Sequence, residues 1–217
     1  MKIKDIKTTP YLEQTSLWPA SGRHILAHQD QDTLIVYQAY RPEIGEYAIK
    51  NGRFGGAYSY SRMSWIKPNF LWMMYRCGWG LKEGQEVVLG LRIRRQFFED
   101  ILSQAVPSSY NPEEFATQEA WKEAVQSSNV RLQWDPDHTP NGAKCERRAI
   151  QLGLRGDMLA RYGKEEILEV IDFREFIAEQ RAHAIPERYA ELMTPQERVF
   201  IPSDATVSAR LRLDSPD

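Results

Sequence analysis

Cysteine is nearly absent from this chain. Its two cysteines, Cys77 and Cys145, are too few for a disulfide framework and too widely spaced for a zinc knuckle. A reduced, cytoplasmic setting is the expectation. An excess of charge is also absent: 28 lysines and arginines face 30 aspartates and glutamates, a net charge of −2. Nothing global draws such a chain to nucleic acid or to an anionic membrane, although local basic patches stay open. Long apolar runs are missing too. The start, MKIKDIKTTPYLEQTSLWP, turns polar within a few residues and has no leader-like stretch. The most apolar segment runs from Phe70 to Cys77 and is broken by Arg76, far short of the roughly 20 residues that cross a bilayer. No membrane partner is expected. The GxGxxG, Walker A, HExxH and GxSxG patterns are all missing, so none of the chemistries they signal is announced.

What the chain does have is aromatic density. Residues 61 to 80, SRMSWIKPNFLWMMYRCGWG, hold three tryptophans, three methionines, a tyrosine and a phenylalanine. Pro68 suits the first turn of a helix and Gly78 its stop. Between them Phe70, Leu71, Trp72, Met73, Met74 and Tyr75 are apolar on every face, which predicts a helix surrounded by other elements. Arg62, Lys67 and Arg76 thread through this block. Cations flanking a buried aromatic helix are natural anion-binding groups, while Arg76 also suits a helix C-terminus for its charge alone.

The rest of the chain mixes strands and helices without regular alternation, which predicts an α+β fold and not a doubly wound sheet. Residues 1–31, with Pro10, Pro19 and Gly22, read as a loosely structured N-terminal arm. A single α+β domain follows over 32–200, and 201–217 reads as a C-terminal tail. DTLIVYQAY (32–40) has the β-branched and aromatic content of a strand. PEIGEYAIKNG (42–52) has helical spacing and a glycine stop. QEVVLGLRIRR (85–95) reads as a strand whose Arg92 and Arg94 face water. Helices are predicted over 95–106 and 111–128, strands at 130–138, 145–156 and 165–173, and a last helix from Arg174. With 42% hydrophobic and 27% charged residues, the composition is that of an ordinary globular protein with a substantial core. In WDPDH, Asp135, Asp137 and His138 offer ligands to a divalent ion, but Asp-Pro-Asp is also an ordinary turn. No metal site is assigned.

Taken with VYQAY upstream and LQWDP and RAIQLGL downstream, the block RMSWIKPNFLWMMYRCGW resembles a family known only as domain of unknown function 4291. That resemblance carries no activity. A weaker one is more informative. LIVYQAYRPEIGEYAIKNGRF is similar to the opening of the ADP-ribosyltransferase fold, where a strand bearing an aromatic residue turns into a helix and cradles NAD. SYSRMSWIK, the aromatic helix and EVVLGLRIRR then follow in that fold's order. The resemblance implies mostly antiparallel split sheets with packed helices, NAD as substrate, and transfer of ADP-ribose to an unidentified acceptor. It implies Gln151 at the nicotinamide ribose, with Glu169 as second choice, and Tyr37 and Gln38 as the other catalytic positions. Tyr40, Arg41, Arg62, Ser64, Trp65, Lys67 and Arg76 would hold the cofactor. Gln38 stands where the fold carries His or Arg, and Gln151 where it carries Glu, which puts activity in doubt. On the residues alone, Tyr37 and Tyr40 serve equally well as sheet residues and Gln38 as an edge side chain.

The competing reading is a non-catalytic module for a nucleotide or for RNA. Arg92, Arg94, Arg95, Arg147 and Arg148, interleaved with aromatics, would make a phosphate-tracking face, with nucleic acid as partner.

Overall fold

The computed structural model describes residues 6–215. Twelve strands are found among them: β1 (Thr8–Pro10), β2 (Gly22–Arg23), β3 (Ile25–Ala27), β4 (Thr33–Tyr40), β5 (Ser64–Ile66), β6 (Val87–Arg94), β7 (Ala105–Pro107), β8 (Val130–His138), β9 (Lys144–Leu154), β10 (Ile167–Asp172), β11 (Met193–Pro195) and β12 (Arg198–Phe200). The α-helices are α1 (Tyr11–Thr15), α2 (Pro42–Asn51), α3 (Phe70–Cys77), α4 (Arg95–Gln104), α5 (Gln118–Ser127), α6 (Gly156–Arg161), α7 (Arg174–Arg181) and α8 (Ala205–Leu211). The architecture is α+β, as the irregular order of elements predicts, and most strand pairs are antiparallel.

Two sheets carry the fold. In the first, β6 lies between β4 and β10, both antiparallel to it. In the second, β9 is central, with β8 along one side and both β2 and β5 on the other, while β7 runs parallel to β8. The sheets meet at one seam, where Tyr37 and Lys67 exchange backbone hydrogen bonds of 2.7 and 3.2 Å. Strand alternation then builds two cores. Leu34 and Val36 of β4 join Leu89, Leu132, Ile150 and Leu152 in a core shared by both sheets. Ile35 and Tyr37 point the other way, into a core roofed by Phe70 and Met73 of α3 and Ile177 of α7. Gly90 sits in β6 because a Cβ there would come within 2.3 Å of the Phe173 ring.

Helix α3 is the aromatic helix. Asn69 caps it, its Oδ1 accepting from the Trp72 amide at 2.6 Å, and Glu197 accepts from the Phe70 amide at 2.7 Å. Gly78 closes it in the left-handed region, at φ 57°. Pro68 therefore lies before the cap and not in the first turn. The helix is also not enclosed on every side: Tyr75 is 45% exposed and Arg76 is exposed.

Other expectations are corrected at the ends of the chain. The segment read as a loose arm carries β1, α1, β2 and β3 within its described residues, and it buries Tyr11, Trp18, Ile25 and Leu26. Strand β1 pairs with β11, and the Trp18 indole N–H donates to the Glu197 carbonyl at 3.0 Å. In the expected tail, α8 places Val207 and Leu211 in the shared core. The helix expected over 111–128 is confined to Gln118–Ser127 and buries no residue. Among the described residues no helix is long and apolar enough to cross a membrane.

Candidate functional site

A concave site with a polar lining lies where β4 ends, α2 begins and β5 starts. Tyr40, Arg41, Tyr58, Ser59, Arg62 and Ser64 are among the residues around a cavity of about 260 Å³. Tyr40 comes from the end of β4, and Arg41 is the extended residue before α2, followed by Pro42 in the first turn. The glycine-bearing loop FGGAYSY delivers Tyr58 and Ser59, and Ser64 opens β5.

Behind this cavity stands a buried hydrogen-bond network. The Gln38 amide nitrogen lies 2.8 Å from the Tyr40 hydroxyl, 2.8 Å from the Ser64 hydroxyl and 3.1 Å from the Trp65 carbonyl. Its amide oxygen accepts from the Tyr162 hydroxyl at 2.8 Å, and Tyr40 and Ser64 hydroxyls are 2.7 Å apart. Gln38 is 2% exposed and fully engaged. The structure thus makes it the strut that fixes Tyr40 and Ser64, not an edge side chain. Burial pushes the Tyr40 and Tyr162 phenols well above their ordinary value, so both stay neutral near pH 7. At the rim, Arg41 pairs with Glu43 at 3.2 Å in a solvent-exposed contact. Arg62 is exposed and makes no hydrogen bond or ion pair among the described residues.

The other predicted site residues lie elsewhere. Successive strand residues face opposite sides, so Ser64 and Ile66 point toward the shared core while Trp65 and Lys67 turn away. Gln151 is on that second side. It is 9% exposed, faces Gln133 across β8 and β9, and donates to Gln133 Oε1 at 3.0 Å and to Asp135 Oδ2 at 2.8 Å. Trp65 lies opposite Gly153, where a Cβ would meet its ring at 3.1 Å. Lys67 is deeply buried; burial first, then Arg76, holds its ammonium down to about 8, with Asp135 acting in the opposite direction. Tyr37 is in neither place. Its ring stands edge-on to Phe70 and Phe173 in the second core, with no exposed surface and no partner for its hydroxyl.

The WDPDH stretch continues β8 instead of forming a free turn. Asp137 is held by the Arg147 guanidinium at 2.7 and 2.9 Å, Asp135 by Gln151, and the His138 ring stacks on Tyr75 and Trp72. Among the described residues no group of three or more His, Cys, Asp or Glu is placed to hold a metal ion. The arginines expected to track phosphates are largely engaged. Arg92 pairs with Glu169 at 2.9 Å, Arg94 with Glu166 at 2.8 Å and Arg95 with Glu99 at 3.3 Å, while Arg148 donates to the Trp134 carbonyl at 2.8 Å. Glu169 is thereby occupied as well.

A larger cavity, about 490 Å³, opens between β7, the 113–115 loop and α8. Its charges are spent: Arg210 donates to the carbonyls of Leu102, Ser103 and Ala105, and Arg212 pairs with Glu113. Tyr58 and Tyr162 are the participants that sequence reasoning missed. The FGGAYSY loop signalled the first; nothing local signals the second, which reaches Gln38 from 124 positions away.

Compared with curated proteins, the chain matches none. A family model does match it, over residues 24–200, which spans β4, the cavity, α3 and both main sheets apart from β2. The chain belongs to the family described as domain of unknown function 4291 (DUF4291).

Proposed function

We propose that this cavity binds the phosphate-bearing part of NAD or a related nucleotide, and that the protein is an ADP-ribosyltransferase-like enzyme passing ADP-ribose to an acceptor. The observation that carries the reading is Arg62: an exposed guanidinium without a partner among the described residues, beside hydroxyls fixed by a buried glutamine. A guanidinium offers paired donors suited to phosphate, and Tyr40 and Ser64 add neutral O–H groups. Helix α2 starts at the same place with no side chain capping it, and the positive end of its dipole favours an anion, although Pro42 has no N–H and the Ile44 and Gly45 amides already donate to the Arg41 carbonyl. The strand-to-helix turn is the feature that makes residues 34–54 similar to the opening of the ADP-ribosyltransferase fold.

A cavity of about 260 Å³ is below the roughly 300–1,000 Å³ of sites that enclose a whole drug-sized ligand. It suits a phosphate with its ribose, the remainder of a dinucleotide lying across the rim. Displacing nicotinamide leaves oxocarbenium character on the ribose, so the work of this site is to hold phosphate and sugar while the acceptor approaches. Gln151, on the far side of β5, has no part in this site.

The test is thermal stability with NAD, ADP-ribose and AMP. Ligand at a hundredfold excess over its Kd adds about 2.7 kcal/mol, a rise of roughly 5–10 °C for a chain of this size. Arg62→Ala is expected to weaken the response by roughly 1.5–3 kcal/mol, the worth of a charge-assisted contact. Release of nicotinamide from NAD checks the transferase part. No shift with any of the three ligands, in folded protein, overturns the reading.

A further inference from the structure

The cavity of about 490 Å³ between β7, the 113–115 loop and α8 falls within the roughly 300–1,000 Å³ of sites that enclose a small molecule. Its floor is apolar and buried: Ala105 of β7, Leu132 of β8 and Leu211 of α8. Val106, Phe115 and Ala124 form half-buried walls. Helix α5, which supplies Ala124, is held in an unusual way. A surface helix ordinarily packs an apolar stripe on the core, yet no residue of α5 is buried. Hydrogen bonds position it instead. The Trp121 indole donates to the Pro107 carbonyl at 2.9 Å, and the Arg155 guanidinium donates to the carbonyls of Val125 and Gln126 at 3.1 and 2.7 Å. The apolar side of α5 thus serves as a cavity wall where core packing would ordinarily be.

The polar groups of the lining are already paired. Strand β7 is the edge of its sheet, but its outward groups are closed. Arg210 donates to the Ala105 carbonyl at 2.6 Å, the Ala105 amide donates to the Leu102 carbonyl, and Pro107 has no N–H. A peptide adding itself as a strand finds no free backbone partner there. At the mouth, Arg212 is shared by Glu113 and Glu114, and Glu114 also accepts from the Asn111 amide at 3.1 Å. Glu113, Glu114, Arg210 and Arg212 together leave no net charge.

We propose that this cavity is a second ligand site, separate from the nucleotide cavity, and that it takes a neutral, mostly apolar molecule. A charged ligand would have to split an existing ion pair or enter without a partner, and either is costly. A neutral one covers Leu132, Leu211 and Phe115 and disturbs no polar contact.

The neutral fluorescent probe N-phenyl-1-naphthylamine, titrated into the whole protein and displaced by 1-decanol, tests the site. Saturable binding reversed by decanol is expected. Decanoate and decylammonium, of the same chain length, are expected to displace the probe about tenfold less well, because each brings a charge without a partner. Ala124→Phe and Ala209→Phe each put a ring into the cavity, one from α5 and one from α8. Both are expected to weaken probe binding by about tenfold or more. Ala209 is exposed, so its variant decides the matter should Ala124→Phe not fold. Arg62→Ala is expected to bind the probe as wild type does. No saturable binding, wild-type affinity in folded Ala209→Phe, decanoate or decylammonium displacing the probe as well as decanol, or loss of binding in Arg62→Ala overturns the proposal.

Discussion

At the scale of single residues, Lys67 has a consequence that does not depend on any ligand. Its ordinary value is 10.5, and burial with Arg76 nearby brings it down to about 8. Between those values the unfolded chain holds a proton that the folded chain has released, so stability from this group rises with pH across that window. Below about 8 its destabilising effect is complete, on the order of 3 kcal/mol. The stability advantage of Lys67→Met over wild type is therefore expected to be largest near pH 7 and to shrink toward about pH 10. Urea midpoints of the two proteins across that range check it; a constant difference refutes it. Gln38 makes the opposite prediction. Replacing it by alanine leaves the Tyr162, Tyr40 and Ser64 hydroxyls without their shared partner in a buried setting, so Gln38→Ala is expected to cost roughly 1–3 kcal/mol or more. It is also expected to weaken nucleotide binding although it does not line the cavity, which a Kd measured on the folded variant decides.

At the scale of elements, α3 shows how a short helix is held. Its apolar residues supply burial, but its start is fixed by the Asn69 side chain on the Trp72 amide and by Glu197 arriving from the strand region near the C-terminus. Asn69→Ala is expected to cost about 1 kcal/mol from the cap alone, and more if the contact of its amide with Glu197 at 3.1 Å matters. Trp72→Ala removes a nearly buried indole stacked near Tyr75 and His138, and about 3–5 kcal/mol is the expected loss. An unchanged denaturation midpoint for Trp72→Ala would show that this packing is absent in solution. The identity of α3 was legible in the sequence, because Gly78 and the apolar run mark a helix by local rules. Its exposed side was not, since exposure of Tyr75 and Arg76 depends on which elements happen to lie beside them.

At the scale of the whole molecule, the ends of the chain are structural. Residues 6–23 lie outside the family match, yet Tyr11 and Trp18 are buried and Gln14 hydrogen-bonds Thr194, Pro195 and the Glu197 amide. Burial of the two aromatic side chains alone amounts to roughly 3–6 kcal/mol. A chain starting at His24 is expected to unfold at clearly lower urea than the full chain, and an identical midpoint would show that the N-terminal segment is dispensable. The seam at Tyr37 and Lys67 works at the same scale, since it ties the sheet of β4, β6 and β10 to the sheet of β5, β8 and β9.

The α+β class, the strand expected over 32–40, the helix after Arg41 and the helix ending at Gly78 all follow from periodicity and turn chemistry, which act between near neighbours along the chain. Of the ten residues proposed as a site, Tyr40, Arg41, Arg62 and Ser64 do line one cavity. Trp65, Lys67 and Gln151 turn to the other side of the sheet, Arg76 is exposed in the last turn of α3, Gln38 becomes a buried strut, and Tyr37 goes to the core. That division was decided by pairing between distant strands: once Trp65 is set opposite Gly153, the pleat sends Ser64 to the opposite face and Lys67, two residues on, to the face of Trp65. Burial of Lys67 and capture of Gln38 by Tyr162 arise the same way, from contacts between segments far apart in sequence, which no local pattern encodes.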